Sequence, residues 1–358
     1  MTVTITESAD APAVTERGGE VLRSMLTRFT PRKSLPVVVL LAIGLFVIPG
    51  LLSSFWVKVF TAAAYYSIIA GGLALLYGRV GLASLGQVAI SGIGAWVTAR
   101  LFFATGWPFP VLLLVAGGVT ALIGLLIGLP ALRLSGLYLS LVTLMTAAAV
   151  GVLISSLKFP NGGKGFSGVV TDLAARRTIT RPAIAVGDIA YLRYAVVVAA
   201  LMFGLYAWHL ISKPGRAWAS IAQSEASALA AGVNTTVFKL WAFVLVSFAT
   251  GVAGGLLAAD VGTLSSSNFP AQESLILMAV VVMAGYRSLW GGVVAGLLSK
   301  LLPELLKDKN SVVGWVIRRF DSHFNGVSST IGLILFGIGL LVNLVLSTRA
   351  MKKKGLIS

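Results

Sequence analysis

In residues 190–262, two long apolar runs enclose a polar one. The first run, AYLRYAVVVAALMFGLYAWHLI, covers residues 190–211, and the second, KLWAFVLVSFATGVAGGLLAADVG, covers residues 239–262. A helix needs about 20 consecutive apolar residues to cross a bilayer, and each run is long enough. The segment between them, KPGRAWASIAQSEASALAAGVNTTVFK from Lys213, therefore lies outside the membrane.

This polar segment has the pattern of a short amphipathic helix. Apolar side chains recur at helical spacing, at Ala217, Trp218, Ile221, Ala222, Leu229 and Ala230. The polar patch consists of Gln223, Ser224, Glu225 and Ser227. Gly232 follows and is predicted to end the helix. Such a helix either contacts another protein or lies on the lipid headgroups.

The composition extends this interpretation to the whole chain. Of 358 residues, 57% are hydrophobic and only 11% are charged, whereas a soluble domain has about 25% charged residues. The mean hydropathy is +0.93. We therefore predict an all-α, polytopic helical membrane protein. The chain has no cysteine and only two histidines, His209 and His323, which excludes disulfides and argues against a metal site.

About ten membrane segments are predicted from the apolar runs. They cover residues 35–54, 57–78, 82–104, 109–130, 134–157, 190–211, 239–262, 272–286, 289–306 and 327–347. The segment 272–286 is short for a straight crossing, which favours a broken or re-entrant helix.

An even number of segments places both termini on one side of the membrane. Basic residues flank both ends of the chain, at Arg23, Arg28, Arg32 and Lys33, and at Arg349, Lys352, Lys353 and Lys354. By the positive-inside rule both termini are cytoplasmic, so the loop 212–239 is cytoplasmic and the loop 158–189 is extracytoplasmic.

Three regions follow from this topology. We predict a disordered cytoplasmic tail over residues 1–34, a transmembrane domain over 35–348 and a basic cytoplasmic tail over 349–358. The net charge of +16 collects at loops and termini, which favours contact with lipid headgroups over nucleic-acid binding.

Five motifs occur along the chain in a fixed order. They are GLASLGQVAISGIGAW (81–96), LRLSGLYLSLVTL (132–144), NGGKGFSG (161–168), the loop 212–239 followed by FKLWAF (238–243), and GYRSLWGG (285–292) with LPELL (302–306). Together they resemble the branched-chain amino acid ABC permeases, in particular the LivM-like subunits. The resemblance covers roughly residues 66–346.

The sequence departs from the family pattern at several positions. Gln87 replaces the usual His, which removes a titratable group but keeps a hydrogen-bond donor and acceptor. Asn161 replaces Thr. Ala284 and Arg287 replace glycines and Gly292 replaces Pro, so the turn near Arg287 differs in shape and charge from its relatives.

The resemblance implies three sets of site residues. Coupling to an ATPase is expected at Gly215, Arg216, Ala217, Ile221, Glu225, Ala226 and Gly232. A substrate pathway is expected along Ser84, Gln87, Gly94, Tyr138, Thr143, Asn161 and Ser288. A receptor-facing loop is expected at Gly162, Gly163, Lys164 and Gly165.

The resemblance also implies an importer with several subunits. The expected partners are a second related permease, two ABC ATPase subunits that bind ATP and Mg, and an extracytoplasmic solute-binding protein, in a bacterial cytoplasmic membrane. The sequence itself contains no Walker motif, since NGGKGFSG lacks the GxxxxGK[ST] spacing. The chain is therefore expected to bind no cofactor and to be no enzyme.

Other functions remain open alternatives. A secondary transporter or channel is less favoured, because the only acids near segment ends, Asp260 and Glu273, are expected at the outer rim and not at the midplane. Either acid would be a solvated rim residue or meet the amino group of an entering solute. A membrane enzyme would need a cluster of His, Asp or Glu. Within the importer class, urea, short amides or small organic acids are alternative solutes.

Overall fold

The computed structural model describes residues 50, 52–131, 137–170, 172 and 174–307. The chain divides into two units, Met1–Leu52 and Ser53–Ser358, and the described residues belong almost entirely to the second. Both predicted tails, the span 327–347 and nearly all of the span 35–54 lie outside the described residues.

Ten α-helices form within the described part of the second unit. They are α1 (Ser54–Leu75), α2 (Gln87–Thr105), α3 (Phe109–Ala131), α4 (Leu137–Leu157), α5 (Asp188–Ile211), α6 (Lys213–Gln223), α7 (Glu225–Ala230), α8 (Thr235–Val261), α9 (Ala271–Ala284) and α10 (Leu289–Lys307). A π-helical turn, Leu76–Val80, extends α1. No strand occurs in these ranges, and the all-α prediction is confirmed.

Seven helical segments of the described chain are long and apolar enough to cross a membrane. They are Ser54–Val80, Gln87–Thr105, Phe109–Pro130, Tyr138–Leu157, Asp188–Ile211, Thr235–Val261 and Ser266–Ala284. Each overlaps one predicted span. The predicted span 289–306 is the helix α10, which is not among the seven, so the predicted total of about ten is approximate.

One predicted boundary shifts by several residues, at the start of α2. The span was predicted from residue 82, but the helix begins at Gln87. Gly81 has a φ of 77°, a left-handed conformation that glycine adopts without strain. The chain therefore leaves the π-helical turn at Gly81 and runs through an irregular segment, residues 82–86, before the next helix.

Helix α8 lies at the centre of the bundle and packs against α1, α2 and α3. Glycines allow its backbone to touch that of α2. A Cβ atom at Gly94 would lie 2.6 Å from the Cα of Gly251, and a Cβ at Gly254 would overlap the carbonyl oxygen of Ser91. Small residues permit this close approach of helices in lipid.

Helix α9 is too short to cross the membrane alone. Its 14 residues rise about 21 Å, less than the roughly 30 Å of the hydrocarbon core. It ends at Gly285, whose φ is 102°, and α10 follows after a turn. Helix α10 packs closely on α1, since a Cβ at Gly292 would lie 2.5 Å from the Cα of Gly71.

The polar loop 212–239 contains two helices where one was predicted. The helix breaks at Ser224, whose φ and ψ are −162° and 119°, between α6 and α7. The side chain of Ser224 accepts a hydrogen bond from the backbone N–H of Ser227, which caps the start of α7. The predicted end at Gly232 is confirmed: α7 ends at Ala230 and Gly232 has a φ of 77°.

Candidate functional site

A buried polar cluster joins α2, the segment before it, α4 and α8. The Oε1 of Gln87 accepts a hydrogen bond from the Oγ1 of Thr250 at 3.0 Å, and its Nε2 donates to the Oγ of Ser84 at 3.3 Å. The Oγ1 of Thr143 accepts from the backbone N–H of Leu85 at 2.9 Å. The fold thus brings together three predicted pathway residues, Ser84, Gln87 and Thr143.

This cluster borders a cavity of 10 Å³, large enough for about one water molecule. Ser84 and Thr143 line it together with Phe243 of α8, and both polar side chains are buried. The groups are hydroxyls and an amide, so they offer hydrogen bonds without a fixed charge. The arrangement can bind a polar group of a small solute once the cavity opens.

The other four predicted pathway residues lie elsewhere. Gly94 forms the contact between α2 and α8. Tyr138 is 70% exposed on the outer surface of α4. Asn161 belongs to the loop after α4, and Ser288 lies in the turn before α10, where its Oγ accepts from the N–H of Trp290.

The predicted receptor-facing residues form one ordered turn. The side chain of Asn161 makes two hydrogen bonds to the backbone of Val170, at 2.5 and 3.1 Å. Gly162 and Gly165 have positive φ angles of 99° and 77°. Gly163 is pressed against the backbone of residues 168 and 169, and Lys164 is exposed. The glycines are therefore required by the turn itself, whatever the turn contacts.

The sequence analysis missed the residue that holds this turn to the helix bundle. Arg100, near the end of α2, donates to the carbonyl oxygens of Gly165 at 2.6 Å and Phe166 at 3.0 Å. Trp96, one helical turn earlier, donates to the carbonyl of Lys158 at 2.9 Å. The sequence does contain a sign of this contact, since Arg100 is an isolated charge near the end of an apolar helix.

Arg181 connects the same loop to α5 and α8. Its guanidinium lies 2.5 Å from Asp188 and 3.1 Å from Asp260, and the Asp260 side chain is 10% exposed. Burial of Arg181 lowers its pKa, but its hydrogen bond to Asp188 and the charge of Asp260 outweigh this effect, so the pKa is raised overall. Asp260 is thus paired within the chain and is not a solvated rim residue.

The second acid near a segment end is also paired. Glu273, in the first turn of α9, lies 2.5 Å from the Nζ of Lys300 in α10. The same ammonium group lies 3.5 Å from the centroid of the Tyr66 ring in α1, a cation–π geometry. This group joins three helices.

Helix α6 is anchored firmly to the helix bundle. Trp218 is fully buried, with its Nε1 donating to the carbonyl of Phe238 at 2.7 Å. Two predicted coupling residues, Ala217 and Ile221, are buried on the same side. Gly215 is also buried, and only glycine fits there, since a Cβ atom would overlap the carbonyl oxygen of Leu210. These positions hold α6 in place.

The remaining predicted coupling residues are on the surface. Arg216, Glu225, Ala226 and Gly232 are all exposed. The carboxylate of Glu225 lies 2.6 Å from the Nζ of Lys239 in α8. The hydrogen bond from Lys239 lowers the pKa of Glu225, against a smaller opposing effect of burial.

These features define a multi-pass helical membrane protein with a closed polar cluster inside and two short helices on one surface. Residues 55–312 match the family described as "Branched-chain amino acid transport system / permease component". The match covers more than half of the chain, which therefore belongs to this family.

Two curated relatives are similar to the chain. They are the high-affinity branched-chain amino acid transport system permease proteins LivM of Salmonella typhimurium and of Escherichia coli. Each is 30% identical over 280 residues, which is 73% of this chain and 66% of the relative. The match thus spans slightly less than two thirds of each relative. No solved structure matches the chain.

Proposed function

We propose that this chain is the transmembrane permease subunit of an ATP-driven ABC importer that takes up branched-chain amino acids or a related small polar solute. The observation that carries the proposal is the pair of helices α6 and α7. One is anchored by a fully buried tryptophan, and the other presents an exposed surface next to it.

The two helices suit the transmission of force from a separate protein. A lever must be fixed to the element it moves and accessible to the protein that moves it. Trp218 fixes α6 through its bond to Phe238 in α8. Leu229 is 56% exposed on α7, beside the exposed Ala226, and offers an apolar surface to a groove on a partner. An ATPase subunit that closes on this surface would move α8 with it.

The polar cluster supplies the pathway in this proposal. Gln87 bonds to Ser84 and Thr250, and Thr143 accepts from the backbone N–H of Leu85, so these polar groups are satisfied within the protein. An alternating-access movement would separate α4 from α2 and release these groups to bind a solute. Because the cluster carries no fixed charge, it suits the neutral or polar part of a small molecule and not a free ion.

The names of the relatives support a transport system of which the permease is one component, and the family resemblance suggests the other components. Since those are permease proteins of a high-affinity branched-chain amino acid transport system, we propose a second related permease, two ATPase subunits that bind ATP and Mg, and an extracytoplasmic solute-binding protein. In a bacterial cytoplasmic membrane, the loop 212–239 and both termini would face the cytoplasm. The loop 158–189 would then face the receptor.

The side chain of Gln87 also suits a second class of solute, urea and short amides. Gln87 stands at the centre of the buried cluster, where the family usually has a histidine. An amide that both donates and accepts also complements urea or a short amide. The solute panel of the test therefore includes these compounds and small carboxylates.

The test is uptake into proteoliposomes that contain this chain with its co-purifying subunits and receptor. Labelled leucine, isoleucine, valine, urea and small carboxylates are offered from the receptor side. Accumulation that needs both ATP and the receptor is the expected result. Uptake that continues without ATP or any partner would replace the proposal with a stand-alone transporter.

A further inference from the structure

The predicted receptor-facing loop is bound to the outer ends of two helices. Arg100 of α2 holds the carbonyls of Gly165 and Phe166. Arg181 of the loop pairs with Asp260, the next-to-last residue of α8. An arginine thus attaches the loop to each of the two helices, Arg100 to α2 and Arg181 to α8.

The opposite end of α8 is bound to the two short helices. Lys239, in the second turn of α8, pairs with Glu225 of α7 at 2.6 Å. Its neighbour Phe238 accepts the hydrogen bond of Trp218 from α6 at 2.7 Å. Helix α8 has 27 residues and a length of about 40 Å, so it joins two surfaces on opposite sides of the membrane.

Helices α2 and α8 have little freedom to slide past each other. Their backbones touch at Gly94 and Gly251 and again at Ser91 and Gly254. Sliding α8 along α2 would bring residues with side chains to these contacts, where the backbones leave no room for a Cβ atom. The bond between Gln87 and Thr250 further fixes their register.

We infer that α2 and α8 move as one rigid body that transmits receptor binding at the outer loop to the helices α6 and α7. Arg181 and Lys239 are the positioning residues that attach this body at its two ends. This inference rests on the proposed function. Beyond that function, it assigns the movement to α2 and α8 and their attachment to the ion pairs of Arg181 and Lys239.

A disulfide between the two helices tests the rigid body directly. The chain has no native cysteine. A Cβ at position 255 would lie 3.6 Å from the Cβ of Thr98, within the range of natural disulfides. Thr98→Cys with Gly255→Cys therefore links α2 to α8. As a comparison, Gly86→Cys with Thr143→Cys, 3.9 Å apart, links the segment before α2 to α4 across the cavity.

Each double-cysteine variant is assembled with the partner subunits and receptor, and mass spectrometry confirms that the disulfide has formed. Uptake of labelled leucine, isoleucine and valine is compared before and after oxidation. The 98–255 link should leave uptake unchanged, whereas the 86–143 link should reduce it. If oxidation of the 98–255 pair abolishes uptake and reduction restores it, α2 and α8 move relative to each other and the inference is wrong.

The ion pairs are tested separately, so that the inference can be judged without the cysteine variants. The readout is the ratio of receptor-stimulated to basal ATP hydrolysis in the assembled transporter. Arg181→Gln and Lys239→Gln should each lower this ratio by about fivefold or more. Glu225→Lys should lower it too, and the exchange Glu225→Lys with Lys239→Glu should restore it.

An unchanged ratio in Arg181→Gln and Lys239→Gln would overturn the role of the two residues. A general loss of structure is recognised in each variant by a lower yield of the assembled transporter and a lower basal rate of ATP hydrolysis, whereas a coupling defect lowers only the receptor-stimulated rate. The proposed function fails differently: the unaltered transporter would then show no ATP-dependent uptake at all.

Discussion

The hydroxyl of Thr250 in α8 donates a hydrogen bond to the side-chain oxygen of Gln87 in α2, across 3.0 Å. Both side chains are fully buried. Gln87 also donates to Ser84, so its amide is satisfied on both sides. This bond joins the close contact between α2 and α8 to the polar cluster beside the cavity.

Thr250→Val removes the hydroxyl that donates to the amide oxygen of Gln87, so this oxygen loses its hydrogen bond from α8. The protein should lose about 1 kcal/mol of stability, since interhelical hydrogen bonds in membranes are worth this much. Thermal unfolding in detergent measures the change. Thr61→Val is the control, because the buried hydroxyl of Thr61 bonds only to Val57 in its own helix. Equal losses in the two variants would show that the interhelical bond has no special importance.

The contact between Gly254 and Ser91 predicts a strong effect of one methyl group. Gly254→Ala places a Cβ against the Ser91 carbonyl, and such overpacking costs about 1–3 kcal/mol. Gly204 of α5 has no atom within 4 Å of its Cβ position, so Gly204→Ala should be neutral or stabilising by up to about 1 kcal/mol. Unfolding temperatures that fall equally for both would contradict the close contact of α2 with α8.

Hydropathy was sufficient to predict the helices but not their ends. Membrane spans depend on local composition, and all seven spans of the described chain overlap a predicted one. The break at Ser224 was missed because a serine in a polar segment is compatible with both a helix interior and a helix cap. The choice depends on whether its side chain bonds to the backbone, as it does here with Ser227.

The long-range pairs could not be predicted from one sequence. Arg181 and Asp260 are 79 positions apart, and they meet where the loop backbone bonds to the end of α8, from the N–H of Ile179 to the carbonyl of Gly262. The same holds for Thr143 with Leu85, which are 58 positions apart. The family resemblance grouped Ser84, Gln87 and Thr143 as expected pathway residues, whereas the hydrogen bonds that place them in one cluster required the fold.

Trp218 should determine whether α6 stays attached to the bundle. Trp218→Ala removes a fully buried ring and should cost about 3–5 kcal/mol. Trp218→Phe keeps most of the packing and removes the bond to Phe238, at about 0.5–1.5 kcal/mol. Trypsin cleavage after Arg216 in native membranes is the measurement, and it should be fast in the alanine variant and slow in the phenylalanine variant. Slow cleavage in both would show that Trp218 is not the anchor.

The ion pair of Glu225 with Lys239 makes a prediction about pH. Lys239 lowers the pKa of Glu225 below the ordinary glutamate pKa of 4.5. The stabilisation by this pair is therefore fully present at a pH above 4.5. It is lost as the pH falls through the lowered value. Infrared titration of the carboxylate, taken as the difference between the natural protein and Glu225→Gln, reports this midpoint. In a Lys239→Gln background the midpoint should move up, and a midpoint that stays in place would exclude Lys239 as the cause.

Gly232 offers the last test, of the connection between α7 and α8. Its φ of 77° costs a residue with a Cβ about 1–2 kcal/mol, while a Cβ there would meet no other atom within 4 Å. Gly232→Leu should therefore act through backbone strain alone, leaving the protein in the membrane but separating ATP hydrolysis from uptake. Gly232→Asn should have a milder effect, because asparagine adopts left-handed conformations more readily. ATP hydrolysis and uptake are measured together in the assembled transporter. If the leucine variant transports normally while still binding its ATPase, the connection between these helices does not transmit the movement.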